Sequence, residues 1–304
     1  MVCRPSSIVN CGKLRLFLWL VGMVILCQTG SSLANLSKEG PQRIISLAPG
    51  ITEILFALDL GESIVGVTDF CNYPEAAKEK VKVGGLIHPN IELILSLKPD
   101  LVMMLPTHRD FKEKLETFHI STLTVPHERL SDIFESLEMI GEATKRAEKA
   151  RKLIEKIIEG IEQVKRKVGE ARRKTVLFVV ERTPGTLQDI YAAGAGTFVE
   201  ELITLAGGTN ILSDAPTRYP KISKEVIIAR NPEVILDSSL APDQPEAKLK
   251  EVKEVWSILS SLSAVKGGKL FPVAERYVTI PGPRVIKGLE YIARRIHPEL
   301  YDSP

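Results

Sequence analysis

Short apolar runs alternate with amphipathic stretches along the chain after residue 35. The apolar runs predict buried strands, and apolar positions spaced by three and four residues predict helices. In chain order they predict a strand at 43–48, a helix at 52–60, a strand at 64–67, a helix at 91–97, a strand at 101–105, a helix at 111–118, a strand at 122–125 and a helix at 131–141 capped by Ser131. Strands that alternate with helices are typical of a mostly parallel sheet covered on both faces.

The same alternation begins again in the second half of the chain. It predicts a strand at 175–180, a helix capped by Thr197 with Glu200 completing a capping box, a helix at 223–230, a strand at 234–236, a helix at 252–262, a strand at 270–273 and a terminal helix at 284–296. The pattern therefore indicates an α/β protein with two comparable lobes.

A different kind of segment separates the two halves. Residues 145–173 contain no proline, and their apolar positions follow helical spacing with charged residues on the other face. A helix of this length would span about 43 Å. It is either a solitary coiled-coil arm or a rigid strut across both lobes, and about three heptads favour the strut. We therefore divide the chain into a leader (1–34), an N-terminal lobe (35–141), a connecting helix (142–173) and a C-terminal lobe (174–304).

One short pattern occurs once in each lobe. Glu92 stands seven residues before a proline that Asp100 follows, and Glu225 stands seven residues before a proline that Glu233 follows. In both copies a helix cap, Asn90 or Ser223, precedes the glutamate by two residues, and an apolar strand comes after the acid. Two lobes of this kind usually bind their ligand in the cleft between them.

The start of the chain has the layout of a secretory signal. Basic residues precede an apolar run at 16–26, and Ser32-Leu33-Ala34 supplies a small-x-small cleavage site. A retained membrane anchor and a lipoprotein modified at Cys27 are the alternatives, although Leu26 is bulkier than lipoprotein cleavage normally tolerates. The sequence thus predicts an exported protein.

Removing the leader changes the charge and the cysteine count. The formal charge falls from +2 to −1, because residues 1–34 carry three bases and no acids. This balance gives no indication of a nucleic-acid partner. Only Cys71 remains of four cysteines, so neither an internal disulfide nor a site of several cysteines is available.

Common enzyme signatures are missing from the sequence. It lacks a Gly-x-Ser-x-Gly elbow, a phosphate-binding loop ending in Gly-Lys-Ser/Thr and a His-Glu-x-x-His motif. His88, His108 and His127 fall in predicted loops of the first lobe, where the carboxyl ends of parallel strands line ligand crevices. This position allows a haem or metal contact at His88 or His108, although an exposed loop histidine is the commoner case.

The two repeated glutamates have a simple structural explanation. A carboxylate in the first turn of a helix stabilises it by about 0.3–1 kcal/mol through the helix dipole. Equivalent positions in both lobes also suit a second role for Glu92 and Glu225, which is to grip a partner that carries basic residues.

Several segments together resemble a known family of transport proteins. Arg43-Ile-Ile-Ser-Leu-Ala-Pro followed by Thr52-Glu53, Asp69-Phe-Cys-Asn-Tyr-Pro74, Ala206-Gly-Gly-x-Asn210 and Gly282-Pro-Arg284 are similar to the class III substrate-binding proteins of cobalamin and iron-siderophore ABC importers. The resemblance covers essentially the whole chain after the leader. It implies two lobes joined by one long helix, a ligand held between the lobes, and docking of Glu92 and Glu225 to arginines of the membrane permease.

Within this family the segment 69–74 looks most like the cobalamin-binding branch. The resemblance implies ligand contacts at Phe70 and Tyr73 in one lobe and at Tyr219 in the other, and a flat apolar ligand suits aromatic faces. Further candidates are Leu86, Leu105 and Arg284. Cobalamin binders often place a tryptophan in the cleft, whereas the only tryptophan after the leader is Trp256. Packing at the lobe edges is the structural alternative for Phe70 and Tyr219.

The sequence therefore predicts a monomeric, non-enzymatic capture protein with no built-in cofactor. It would deliver cobalamin to an ABC importer permease and its ATPase subunits, and contact the membrane only there or through a lipid anchor. The alternatives are a haem binder, which requires an axial histidine or tyrosine, and a ferric-siderophore binder, for which Arg109, Arg218 and Arg284 are candidates. A chelatase or hydrolase on the same scaffold is the remaining class.

Overall fold

The computed structural model describes residues 40–239 and 245–301. The predicted leader, with Cys27 and the cleavage site at Ala34, lies outside the described residues. Within the described residues no helix is both long and apolar enough to cross a bilayer.

The first lobe is built on a four-stranded parallel sheet. Its strands lie in the order β2-β1-β3-β4, and Ile44 of β1 pairs with both Ile64 and Leu101. The central strand β3 is buried along its whole length because helices cover both faces of the sheet. The elements are β1 (Ile44–Ser46), α1 (Pro49–Ala57), β2 (Ile64–Val67), α2 (Ile91–Ser96), β3 (Leu101–Met104), α3 (Arg109–Thr117), β4 (Thr122–Thr124) and α4 (Leu130–Ala143).

The second lobe has a mixed but mostly parallel sheet. Strand β5 is central: it pairs in parallel with β7 and β9, whereas β6 pairs antiparallel with both β5 and β8. The elements are β5 (Lys174–Glu181), β6 (Ile190–Ala192), α6 (Phe198–Leu205), β7 (Gly208–Asn210), β8 (Lys221–Ile222), α7 (Lys224–Arg230), β9 (Val234–Asp237), α8 (Pro245–Ser257), α9 (Ser263–Lys266), β10 (Leu270–Pro272) and α10 (Val285–Ile296).

One long helix, α5 (Ala147–Val168), connects the lobes. Its buried face packs against α4 of the first lobe and α10 of the second. At Gly160 a β-carbon would lie 2.5 Å from Ile286 Cδ1, so any larger residue would have to displace the Ile286 side chain of α10. The helix is shorter than predicted because Gly169 ends it with a φ of 54°. Its apolar face is covered by its own chain, which excludes the coiled-coil arm.

Several predicted boundaries were wrong for local reasons. Helix α4 begins at Leu130, so Ser131 is not its cap. The side chain of Asp132 instead accepts hydrogen bonds from the backbone N–H groups of Glu128 and Arg129, at 2.7 and 3.0 Å. The helix predicted at 252–262 is α8, which begins earlier, at Pro245, and ends at Ser257, followed by the separate α9. The three short strands β6, β7 and β8 were not predicted, because two or three residues carry too little periodicity.

The acid after the proline has the same structural role in both lobes. Asp100 accepts hydrogen bonds from the backbone N–H groups of Gln42 and Arg43, which lead into β1. Glu233 accepts from the backbone N–H of Thr175 in β5 at 3.0 Å. Each acid therefore fixes the beginning of the first strand of its own lobe, and this part of the repeated pattern serves the fold.

A buried ion cluster joins the carboxyl ends of β5 and β9. Arg182 and Asp237 have fully buried side chains, and Arg182 Nε donates to Asp237 Oδ2 at 2.9 Å. Asp237 also accepts from Trp256 Nε1 at 2.8 Å. The guanidinium further donates to both carboxylate oxygens of Glu251 on α8. Buried charges need such complete pairing, so this cluster holds α8 and both strands together.

The contribution of Glu233 to the stability of the protein is expected to depend on pH. Its hydrogen bonds from Arg172 lower the pKa of Glu233 from 4.5 to about 2. A lowered folded-state pKa stabilises the protein above the unfolded-state pKa, and the contribution disappears as the pH falls from about 4.5 to 2. Since Arg172 is largely exposed, we expect Glu233→Gln to cost about 1–2 kcal/mol at pH 7 and almost nothing at pH 2.

Denaturant unfolding of both proteins between pH 2 and pH 7 measures this difference. The matched control is Glu155→Gln, an exposed residue of α5 for which no ion pair is present among the described residues. A free-energy difference for Glu233→Gln that stays constant over this pH range would contradict the assignment.

Candidate ligand-binding site

A cavity of about 200 Å³ lies at the carboxyl edge of the first sheet. The chain segments that follow β1, β3 and β4 form its walls, together with the beginning of α1. Residues 279–281 of the second lobe close the other side. The carboxyl ends of parallel strands are where α/β sheets bind ligands, so this cavity between the lobes is the candidate site.

The cavity walls are mostly apolar. Leu86 and Leu105, both predicted as ligand contacts, are among the lining residues, although Leu105 is almost fully buried. Two polar lining residues are satisfied within the protein: the Ser136 hydroxyl donates to the Pro126 carbonyl at 2.7 Å, and the Thr279 hydroxyl donates to a backbone carbonyl. The site is therefore suited to a ligand with a large apolar surface.

Three predicted aromatic contacts lie outside the cavity walls and are exposed. The exposed fractions are 48% for Phe70, 45% for Tyr73 and 53% for Tyr219. Neither Phe70 nor Tyr219 makes a close ring contact with another aromatic side chain among the described residues. Phe70 and Tyr219 thus leave about half of their surface open to a ligand, whereas the Tyr73 ring packs against the guanidinium of Arg284.

Arg284 forms its contacts with other side chains of the protein. Its guanidinium donates two hydrogen bonds to Glu53, at 2.5 and 2.8 Å, and lies 3.8 Å from the centre of the Tyr73 ring. Burial raises the pKa of Glu53, and the guanidinium opposes that effect. Because Glu53 belongs to α1 and Arg284 precedes α10, the pair joins the two lobes. The predicted ligand contact at Arg284 stays a prediction.

A second set of contacts joins the lobes on another side of the site. Arg218 forms an ion pair with Glu128. The backbone N–H of Phe198 donates to the Glu128 carbonyl at 2.9 Å, and Glu201 accepts from the backbone N–H of Leu130 at 2.6 Å. The first helix of each lobe thus supplies a glutamate, Glu53 or Glu201, that contacts the other lobe.

Arg109, the remaining arginine proposed for siderophore binding, is far more exposed to solvent than Arg218 and Arg284. Arg109 has a side chain that is 85% exposed and forms only a long ion pair, 3.8 Å, with Glu113 on the next turn of α3. Among the three candidate arginines it is the one whose charge is least matched within the protein.

The two candidate metal-binding histidines lie in different environments. His88 is exposed, as expected for a loop. His108 is buried, its Nδ1 accepts from the Leu105 backbone N–H at 3.1 Å, and its Nε2 bonds to the Leu86 carbonyl. Both ring nitrogens of His108 are thus engaged, which corrects the expectation of an exposed loop residue. No group of three or more potential metal-ligating side chains occurs in residues 40–239 and 245–301.

His127 was not among the ligand or metal candidates predicted from the sequence, and it lies in the cavity wall. Its position in the sequence already indicated this place, because His127 comes shortly after β4, which ends at Thr124, at the same edge of the sheet where Leu105 follows β3. The Nδ1 atom of His127 is buried without a hydrogen-bond partner.

The repeated glutamates both lie exposed at the beginning of a helix. Asn90 caps α2 through a hydrogen bond from the Leu93 backbone N–H at 3.0 Å, and Ser223 caps α7 through the Val226 N–H at 3.5 Å. The hydrogen bond with Ser223 lowers the pKa of Glu225. Neither Glu92 nor Glu225 forms an ion pair among the described residues.

The position of both helix ends follows from the topology. Helix α2 precedes the parallel strand β3, and α7 precedes β9, so each helix runs antiparallel to the strand that follows it. Their N-terminal ends therefore lie at the carboxyl edges of the two sheets. Glu92 therefore lies at the carboxyl edge of the first sheet, where the candidate site lies, and Glu225 lies at the carboxyl edge of the second sheet.

Comparison with known proteins places this chain among transport proteins. The family model "Periplasmic binding protein" matches residues 44–277. The chain is 33% identical over 272 residues to the ABC transporter substrate-binding lipoprotein YvrC of Bacillus subtilis, covering 87% of this chain and 82% of that protein. It is 28% identical to a vitamin B12-binding protein of Pectobacterium carotovorum, covering 93% and 95%. The solved structure of the periplasmic heme-binding protein RhuT from Roseiflexus is similar in fold, with a TM-score of 0.75, 24% identity, and coverage of 86% and 100%.

Proposed function

The chain belongs to the periplasmic binding protein family and is a substrate-binding protein of the ABC transporter class, and from this premise we propose that it captures a corrinoid such as cobalamin. The observation that carries the proposal is an apolar interlobe cavity with exposed aromatic side chains in both lobes. The similarity to a vitamin B12-binding protein along nearly the whole chain supports the same ligand class.

The protein leaves aromatic surface uncovered in both lobes. Phe70 and Tyr219 expose about half of their surface, although burying such rings against a flat ligand would be favourable. Pockets for drug-sized ligands usually have about 300–1,000 Å³, so a cavity of about 200 Å³ must widen to admit a macrocycle. The Arg218–Glu128 ion pair crosses between the lobes, so a widening that moves the lobes apart there would require its separation.

The alternative ligands are haem and a ferric siderophore. The fold similarity to a heme-binding protein supports haem, and the exposed Arg109 supports an anionic siderophore. Each alternative keeps the same role in transport and differs only in the cargo.

The proposal extends to the cellular setting. We infer export by the leader, either with cleavage after Ala34 into the periplasm or with retention at the outer face of the cytoplasmic membrane through a lipid on Cys27 or an uncleaved anchor. A monomer would then hand its ligand to a permease with its ATPase subunits. Glu92 and Glu225 are the proposed docking residues, because both are exposed, neither forms an ion pair within residues 40–239 and 245–301, and each lies at the carboxyl edge of its own sheet.

A ligand panel tests the proposed cargo. Cobalamin, cobinamide, haem and a ferric siderophore are offered to the purified protein, and retained visible absorbance measures binding. Phe70→Ala and Tyr219→Ala should each weaken corrinoid binding by about 1–2 kcal/mol, roughly 5- to 30-fold in Kd, because each removes a ring from the ligand surface.

The control variant is Phe118→Ala, which removes an exposed ring at the end of α3, away from the cavity. It should leave the Kd unchanged. If the corrinoids are not retained while haem or the siderophore is, the corrinoid assignment is wrong and the cargo is the retained compound.

A further inference from the structure

The Arg284 guanidinium lies between side chains of both lobes. It donates to both carboxylate oxygens of Glu53 on α1, at 2.5 and 2.8 Å. It also lies 3.8 Å from the centre of the Tyr73 ring of the first lobe and 5.5 Å from the centre of the Tyr277 ring of the second. The side chains of Glu53 and Arg284 are only 3% and 16% exposed. A planar guanidinium held by two hydrogen bonds in such a buried pair has little freedom to move.

The backbones of the two lobes come close together beside this ion pair. A β-carbon at Gly50, at the beginning of α1, would lie 2.3 Å from the carbonyl oxygen of Pro281. Gly50 and Pro281 both line the cavity. The lobes therefore meet in a tight seam at the edge of the cavity, and Arg284 lies three residues beyond it in the chain.

Tyr73 packs one face of its ring on this guanidinium and leaves 45% of its surface exposed. An exposed side chain that nothing holds changes its rotamer freely, and a ligand that binds to it loses affinity because that motion must be restricted. Attraction between a cation and an aromatic face instead holds the ring in one orientation before any ligand arrives. The Tyr73 ring is thus pre-organised as a flat surface at the junction of the lobes.

We propose that Arg284 is a positioning residue, which holds the Tyr73 ring as a fixed platform for a flat face of the captured ligand. This inference rests on the proposed function and deepens it, because Arg284 then acts through Tyr73 rather than by touching the ligand. The ligand class that fits such a platform is a planar macrocycle, which can stack on an aromatic ring. The same guanidinium joins the lobes and orients a ring that binds the ligand.

A double-mutant cycle separates this role from a simple joining of the lobes. Binding of cyanocobalamin and of ferric haem is measured by equilibrium dialysis and visible absorbance. Tyr73→Leu should raise the Kd about 5- to 10-fold, whereas Tyr73→Phe, which keeps the ring, should raise it less than about twofold. Arg284→Lys keeps a positive charge for Glu53 but lacks the planar group that covers the ring, so it should raise the Kd about threefold or more. In the Arg284→Lys background, Tyr73→Leu should raise the Kd further by less than about twofold.

The matched control is Arg218→Lys. It alters the other ion pair between the lobes, in which no aromatic ring covers the guanidinium among the described residues. In this background Tyr73→Leu should keep its full effect on the Kd. An equal reduction of that effect in both lysine backgrounds would show that any weakening of the lobe contacts is sufficient, and the positioning role would be wrong.

A second measurement needs no variant of Arg284. The ring current of Tyr73 should shift the NMR signals of the Arg284 side chain upfield in the ligand-free protein, and Tyr73→Leu should abolish this shift. Because the platform is already in place, the shift should keep its size when a macrocycle binds.

Three results would overturn the proposal. They are an unchanged Kd in Tyr73→Leu, an equally large effect of Tyr73→Leu with and without Arg284→Lys, or an Arg284 signal that shifts only after the ligand has bound. The protein still binds a macrocycle in each of these cases, so the proposed function would stand. If the unmodified protein retains neither cyanocobalamin nor ferric haem, the proposed function itself is overturned, and this inference with it.

Discussion

Replacing Arg182 by methionine is expected to lower the free energy of unfolding by about 3–5 kcal/mol. The substitution leaves Asp237 as a fully buried carboxylate without its counter-ion, and only neutral donors such as Trp256 Nε1 remain. Removing one partner of a buried ion pair is costly because the other charge stays in a region of low dielectric constant. Since folded proteins are stable by only about 5–15 kcal/mol, a large fraction of the stability would be lost. Denaturant unfolding followed by circular dichroism measures the change.

Two further variants identify the cause of that loss. Arg182→Met combined with Asp237→Asn removes both charges and should recover about half of the lost stability or more. Arg151→Met breaks an exposed ion pair with Glu148 on α5 and should cost less than about 1 kcal/mol. A loss below about 1 kcal/mol for Arg182→Met, or no recovery in the double variant, would show that the cluster does not depend on its charges.

Reversing the charge of both repeated glutamates is expected to abolish transport without affecting ligand binding. Glu92→Arg with Glu225→Arg would place arginines against the proposed basic residues of the permease, and like charges at an interface are strongly repulsive. Both side chains lie at exposed helix starts rather than in the cavity wall, so the Kd for the ligand should stay within about threefold. Uptake of labelled ligand should fall by more than about tenfold.

The matched control reverses two exposed glutamates away from these helix starts, one on the connecting helix α5 and one on α8 of the second lobe. Glu155→Arg with Glu254→Arg changes the net charge by the same amount, so a general electrostatic effect would appear in both double variants. Uptake that persists in the Glu92 and Glu225 double variant would refute the docking role. Loss of ligand affinity in that variant would refute it as well, because the glutamates would then serve the binding site.

Local sequence determined much of the fold. The strand at 64–67 was predicted with its observed bounds, and the caps Asn90, Thr197 and Ser223 were confirmed. Each cap depends on a hydrogen bond to a residue three positions along the chain, so the information lies within one helical turn. The resemblance to the family was confirmed as well, because its motifs combine many such local requirements.

Contacts between distant parts of the chain could not be predicted from the sequence. Glu53 and Arg284 form an ion pair although they lie 231 positions apart, and no hydrophobic periodicity of the sequence indicates this contact. Both ring nitrogens of His108 form hydrogen bonds, whereas Nδ1 of His127 has no partner in the part of the chain that the structure describes. Both outcomes depend on which backbone groups the fold brings near. Strands β6 and β8 form an antiparallel edge of the second sheet, and this edge depends on the pairing of β6 with the distant strand β5.

The sequence by itself determined the two α/β lobes, the connecting helix and the pair of repeated glutamates, because hydrophobic periodicity and helix capping are properties of neighbouring residues. Only the tertiary structure decided which side chains remain free to act. It committed Arg284 and His108 to internal contacts and left Nδ1 of His127 without a hydrogen-bond partner among the described residues. The physical reason is that a polar group is available to a ligand only when no other part of the folded chain satisfies it.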